Sequence, residues 1–134
     1  MNRALLQSAM EVVSNSHGYS FMMDSPKLNP TSINTYPVAF MTQPKFNKIE
    51  GRRSGQITYD FSLHLMQQGA KLSPHERNEL YAEMECDVID IFTDASLLAD
   101  IVQVKILSVA PSSEVVDSHG AIAMVANVEV TTCF

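Results

Sequence analysis

The sequence predicts an α+β domain spanning residues 1–134: a single mostly antiparallel sheet of about five strands, with an N-terminal helix and a long central helix packed on one face. Three observations predict it. Residues 73–95 carry the capping and periodicity of one long helix. Residues 56–67 alternate apolar and polar side chains almost strictly, which is the period of a half-buried strand. The segments run in the order helix, three strands, helix, two strands, with short turns between neighbouring strands, and short turns favour antiparallel pairs.

Residues 2–14 form the first helix, with Leu5, Leu6, Ala9, Val12 and Val13 sharing a face at helical spacing. Asn15, Ser16, His17 and Gly18 read as its stop, with Gly18 suited to a left-handed C-cap. A short apolar run covers 19–23. Residues 24–35, DSPKLNPTSINT, hold two prolines among Asp, Asn, Ser and Thr, so they read as an exposed loop long enough to contact a partner. Residues 36–41 are a strand, and Pro37 places it at a sheet edge or marks a strand beginning. Pro44 ends it. Residues 45–50 are a weaker strand, and 51–55, GRRSG, are a turn, which together make a basic hairpin over 45–55.

In the strand at 56–67, Ile57, Tyr59, Phe61, Leu63 and Leu65 point one way. Thr58, Asp60, Ser62, His64 and Met66 point the other way, toward solvent or a contact. The central helix opens with Ser73 as N-cap, Pro74 in the first helical position and Glu76 completing a capping box. At 100° per residue, Leu80, Tyr81, Met84, Val88, Ile91, Phe92 and Ala95 fall on an arc of roughly 120°, which should meet Ile57, Phe61 and Leu65. Residues 100–109 are a strand rich in Ile and Val, and 110–120 a loop with room for a short strand at Val115 and Val116. Residues 121–132 are the last strand. Its first half is apolar on both faces, as a central strand would be.

Composition narrows the function. A net charge of −6 argues against a general nucleic-acid binder. The two cysteines, Cys86 and Cys133, suggest neither a metal site nor a disulfide framework, which fits a reducing compartment. No run approaches the roughly 18 apolar residues of a membrane span. Gln7 and Glu11 interrupt the N-terminal apolar run before it resembles a signal peptide. The expectation is a soluble protein made in the cytoplasm or assembled there into something larger.

No catalytic motif emerges. Asp60, Ser62 and His64 share a strand face, but consecutive same-face residues stand about 6.5 Å apart, beyond the reach of a nucleophile–base hydrogen bond. We read them as a polar sheet face. His17, His64, His75 and His119 show no ligand spacing and read as surface, capping or loop residues. No cofactor or metal is expected.

Charge placement is more informative. Glu76, Glu79, Glu83, Asp87, Asp90 and Asp94 lie within roughly 80° of one another on the central helix. A solvated face is the ordinary reading of such a stripe. Two features set against it. Arg77 is the only Lys or Arg in the helix, so the carboxylates repel one another. Four of the nine basic residues, Lys45, Lys48, Arg52 and Arg53, sit in one short hairpin. An acidic stripe and a basic hairpin on one small chain suggest a head-to-tail contact between copies, with phosphate contact as the rival use of the hairpin.

The layout resembles the small tail-terminator and tail-completion proteins of long-tailed bacteriophages and their prophage copies. The matching features are a short N-terminal helix, a loop, and a strand led by Tyr36-Pro37. The long alternating strand of Ile57 to Leu65 follows, then a helix that opens Ser-Pro-x-Glu and continues through Asp87-Val88-Ile89-Asp90-Ile91-Phe92. Closing strands end in Asn127-Val128-Glu129-Val130. The resemblance covers most of the chain and is one of pattern and order, with no signature residues to transfer. It implies a non-enzymatic virion protein, assembled in the host bacterial cytoplasm, that forms a ring, typically a hexamer. That ring would terminate the tail tube and join it to the neck proteins, with DNA passing through the lumen and no membrane involved. The acidic stripe would then line a subunit interface or the lumen. A small bacterial adaptor domain without catalytic activity is the alternative.

Overall fold

The computed structural model describes residues 2–23, 37–51, 55–68, 72–98, 101–111 and 121–133. In chain order the elements are α1 (Asn2–Ser16), β1 (Ser20–Met23), β2 (Val38–Met41), β3 (Lys45–Gly51), β4 (Gly55–Gln68), α2 (Pro74–Ser96), β5 (Ile101–Pro111) and β6 (Ala121–Cys133). They build one mostly antiparallel six-stranded sheet with both helices on one face, the α+β arrangement the sequence predicts. The expected loop at 24–35, the tip of the basic hairpin with Arg52 and Arg53, and the expected short strand at Val115 and Val116 lie outside the described residues.

Local chemistry sets the helix ends. The Ser73 hydroxyl accepts the amide of Glu76 at 3.2 Å, and the Glu76 carboxylate reaches back to the amide of Ser73. This reciprocal box pairs two of the amides that a helix N-terminus leaves open. At the end of α1, Gly18 takes a φ of 86°, and the amides of His17 and Tyr19 close onto the carbonyl of Ser14. Glycine is the residue that enters this left-handed region without a Cβ penalty.

The main path through the sheet is β1-β2-β4-β6-β5, and β3 also pairs with β4. The long strand β4 organises it. Along one edge β4 meets β6 over thirteen registered pairs, from Gln56↔Cys133 to Gln68↔Ala121. Along its other edge it meets β2 at Leu63 to Met66 and β3 at Gly55 to Asp60. Thr42 bridges the break between β2 and β3: its amide donates to the Ser62 carbonyl at 3.0 Å, and its hydroxyl accepts the Ser62 amide at 2.8 Å. One side chain thus keeps the ladder continuous where Pro44 interrupts the strand.

The sheet has one strand more than expected. The apolar run at 19–23 supplies β1, which pairs in parallel with β2. Four residues without alternation carry no strand period. A parallel partner reached through a long crossover leaves no turn signal nearby. Pro37 marks a strand beginning rather than an edge, because β2 lies between β1 and β4. The apolar first half of β6 is central, between β4 and β5, as its two-faced composition implies.

The main core lies between the helices and the sheet. Met84, Val88, Ile91, Phe92 and Ala95 of α2 are buried against Tyr59, Phe61, Leu63 and Leu65 of β4 and the even-numbered residues of β6. Phe92 reaches Phe61 with ring centroids 6.2 Å apart. In α1 the buried seam is Leu6, Met10 and Val13, whereas Leu5 and Val12 stay exposed. The five apolar residues expected to share one face therefore divide, and Met10 takes the central place between Leu6 and Val13. The opposite sheet face divides as well. It is polar around Thr58, Asp60 and Ser62, but toward β2 a second cluster of Val38, Met66 and Ala123 is buried beside Met22 and Phe40. Met66 therefore belongs to an apolar patch rather than to a wet face.

Candidate functional site

The six carboxylates of the stripe have different fates. Asp87 accepts the Tyr19 hydroxyl at 2.6 Å, and Tyr19 in turn accepts the side-chain amide of Gln67 at 3.0 Å. Burial, reinforced by the bond to Asp87, pushes the Tyr19 hydroxyl well above the usual tyrosine range and keeps it protonated. Asp94 lies 2.6 Å from Nε2 of His17, at the end of α1. Glu76 serves the capping box. Glu79 lies 3.0 Å from Nε2 of His75, one turn earlier, with both side chains largely exposed. Glu83 and Asp90 are exposed and have no hydrogen bond or ion pair among the described residues.

The stripe therefore differs from the unrelieved row of charges that its lack of lysine and arginine suggested. Its inner flank, Asp87 and Asp94, clasps the chain that leads from α1 into β1. Its outer flank, Glu79, Glu83 and Asp90, faces away from the sheet. Spacing shows the carboxylates, but Tyr19 and His17 are joined to them only by tertiary folding, 68 and 77 residues away in sequence.

The hairpin's Lys45 and Lys48 are exposed on the sheet face opposite the helices, in register with Asp60 and Thr58. Acidic helix and basic strand thus lie on opposite sides of one sheet. Lys105 of β5 joins the two lysines on the open face, opposite Glu129 in the β5–β6 ladder. The sequence reading missed it, although Gln103 and Lys105 alternate with apolar neighbours before the irregularity between Ile106 and Ser108 shifts the period.

Side chains on the polar part of this face bond to one another across the strands. Thr58 and Thr131 share a hydrogen bond at 3.0 Å. Asn47 donates to Asp60 at 3.1 Å. The Ser62 hydroxyl donates to the Asn127 side-chain oxygen, and Asn127 donates to the Ser108 hydroxyl at 2.9 Å. Ser62 is therefore directed across the sheet, away from His64, whose ring meets Phe40 edge-on at 6.1 Å. Asp60, Ser62 and His64 are not brought together as a nucleophile–base–orienter set.

Two concavities flank these features. One, of about 400 Å³, lies on the open face and is polar, with Lys48 and Lys105 on its rims and Thr58 and Thr131 on its floor. The other, of about 300 Å³, is an apolar groove between α1 and the start of β5, lined by Leu5, Leu6, Ala9, Val12, Leu98 and Ile101. Among the described residues no group of three or more His, Cys, Asp or Glu side chains is arranged to hold a metal ion. No helix among them is long and apolar enough to cross a membrane. No protein-family model and no curated protein matches this sequence.

Proposed function

We propose that the chain is a structural protein of a long-tailed phage or a tail-like particle, working without catalysis. It forms a ring, as a hexamer, that terminates the tail tube and connects it to the neck, with DNA passing through the lumen. One structural observation supports the assembly part of this reading: among the described residues, α2 turns Glu79, Glu83 and Asp90 away from the sheet, whereas the opposite sheet face carries lysines, Lys45, Lys48 and Lys105, interleaved with carboxylates. Surfaces that differ in this way complement one another between copies rather than within one, which is the head-to-tail geometry that closes rings. Among the described residues the strands β1, β3 and β5 each have an edge without a strand partner, and such edges can pair with neighbours. The pattern resemblance to tail-terminator proteins supplies the particular assembly.

Light scattering and negative-stain electron microscopy test this reading. A ring gives a mass several times 14.8 kDa and annular particles, whereas a stable monomer at high concentration counts against it. A small adaptor domain is the second reading, and the apolar groove beside α1 favours it. On that reading the protein stays monomeric, and Val12→Glu abolishes capture of an apolar peptide without changing the mass.

A further inference from the structure

We infer that the sheet of one copy continues into the next: β3 of a second copy adds antiparallel to the open edge of β5. The inference rests on the ring reading in that it requires copies to meet, and it identifies the two strands that do so. The pairs β3–β4, β4–β6 and β6–β5 are all antiparallel, so β3 and β5 run in opposite directions at the two margins of one four-strand stretch. A second copy set alongside, with its helices on the same side, brings its β3 antiparallel to β5 without being turned over. Among the described residues neither strand has a strand partner on its outer edge, and such edges suit strand addition.

Apolar exposure selects these two edges. Edge strands ordinarily protect themselves with charge or proline. Here Phe46 and Ile49 of β3 are 52% and 55% exposed on the helix side of the sheet, in register with Tyr59 and Ile57. Ile106 of β5 is 37% exposed on the same side, in register with the buried Val128. Beside it lies a groove of about 160 Å³ between β5 and α2, lined by Ile89, Phe92, Thr93, Ser96, Val104 and Ile106. Ile89, 53% exposed, makes the α2 wall of that groove apolar. One copy thus offers an open edge with an apolar groove next to it. The other offers an open edge with two apolar side chains to lay against it.

Side-chain alternation and charge set the register. Residues opposite each other in an antiparallel pair share a side of the sheet. With Ile49 opposite Ile106, Gly51 meets Val104 and Glu50 meets Lys105, an opposite-charge pair. β3 slips by one residue between Phe46 and Lys48, and β5 does so between Ile106 and Ser108. These irregularities fall side by side, so Lys48 meets Ser108 and Phe46 meets Val109, and facing residues keep matching sides throughout. The unstaggered alignment, with Phe46 opposite Val104, sets Lys45 against Lys105, and like charges directly opposite destabilise a ladder. The contact joins different edges of the two copies, so it is heterologous and can propagate around a closed ring.

Two edge substitutions test the contact. Ile49→Lys and Ile106→Lys each put a charge into the joint, at positions exposed in the single copy. Each variant alone should fall from the wild-type multiple to 14.8 kDa by light scattering, with unchanged far-UV circular dichroism. Mixed in equal amounts they should give a dimer of twice 14.8 kDa and nothing larger, because one intact β5 then meets one intact β3. Within one copy Ile49 and Ile106 stand at least three strand spacings, roughly 14 Å, apart, beyond the reach of a disulfide. In a C86S/C133S background, I49C/I106C should therefore oxidise to a ladder of linked chains, whereas the out-of-register I49C/V102C should not. If the wild type assembles and both lysine variants assemble equally well, this contact is overturned while the ring reading stands. If only Ile106→Lys fails to assemble, β5 meets a different segment and β3 is overturned as its occupant. A wild type that stays at 14.8 kDa up to millimolar concentration overturns both the contact and the ring.

Discussion

Replacing Tyr19 by Phe tests the clasp that joins β1, β4 and α2. The ring of Tyr19 is buried and would stay so, and only the hydroxyl is lost. That hydroxyl donates to the Asp87 carboxylate at 2.6 Å and accepts from Gln67 at 3.0 Å. A hydrogen bond to a charged group contributes about 1.5–3 kcal/mol net and one between neutral groups about 1 kcal/mol. Asp87 is half-exposed and can turn to water, which brings the expected loss down to about 2 kcal/mol. For a domain of this size that corresponds to a fall in Tm of roughly 8 °C. The effect also has a pH signature. The hydroxyl's pKa is raised on folding from its ordinary value of 10.0, first by burial and then by the bond to Asp87. Above pH 10 the unfolded chain has released this proton while the folded chain still holds it. Stability from this group is therefore fully present below pH 10 and declines as pH rises further, by at most about 1.4 kcal/mol per pH unit. Urea denaturation at pH 7 and between pH 9 and 11.5 measures both effects. The difference between wild type and the Tyr19→Phe variant should narrow above pH 10. A variant within about 0.5 kcal/mol of wild type at pH 7, or a difference constant with pH, would refute the reasoning.

Other expected outcomes follow from single contacts. Ser14 is fully buried and its hydroxyl is unpaired among the described residues, so Ser14→Ala should stabilise by about 1 kcal/mol in urea melts. Ser73→Ala removes the hydroxyl half of the capping box and should cost about 1 kcal/mol, with the loss of helicity visible by circular dichroism. Leu63→Ala opens a cavity at a fully buried position of β4 and should cost about 3 kcal/mol in chemical denaturation. Ser62→Ala removes a lateral bond on the open face and should cost less than about 1 kcal/mol, while any hydrolysis of a generic ester stays unchanged.

What could be read from the sequence was whatever is set locally. The capping box of α2, the left-handed stop at Gly18 and the alternation of β4 each depend on residues a few positions apart, and each appears where the sequence places it. The strand β1 escaped because parallel pairing with β2 is decided across an intervening segment. The split of α1, with Leu6, Met10 and Val13 inward and Leu5 and Val12 outward, depends on how the helix is rolled against the sheet. Periodicity gives a helix's apolar side but not its exact roll. The same limit governed the acidic stripe. Spacing located six carboxylates on one side, but not that Tyr19 and His17 would engage two of them. The open face was half legible: Thr58, Asp60 and Ser62 read as polar, whereas the patch around Val38, Met66 and Ala123 required three strands to assemble before any part of it existed.

That divided face bears on how a chain of this size uses its sheet. Both faces of the sheet carry apolar clusters, yet the described helices cover only one of them. The remaining polar area could have been built from isolated charges that require water. Instead its hydroxyls and amides are spent on one another in cross-strand pairs, and its lysines stand on the strands at the margins. Isolated polar groups make a surface that is costly to cover, whereas laterally paired ones keep their bonds when solvent leaves. Solubility alone would be served as well by scattered lysines and glutamates, with no lateral network. The pairing of Thr58 with Thr131 and of Ser62 with Asn127 and Ser108 therefore makes a face whose hydroxyls and amides keep their partners whether or not solvent lies over them.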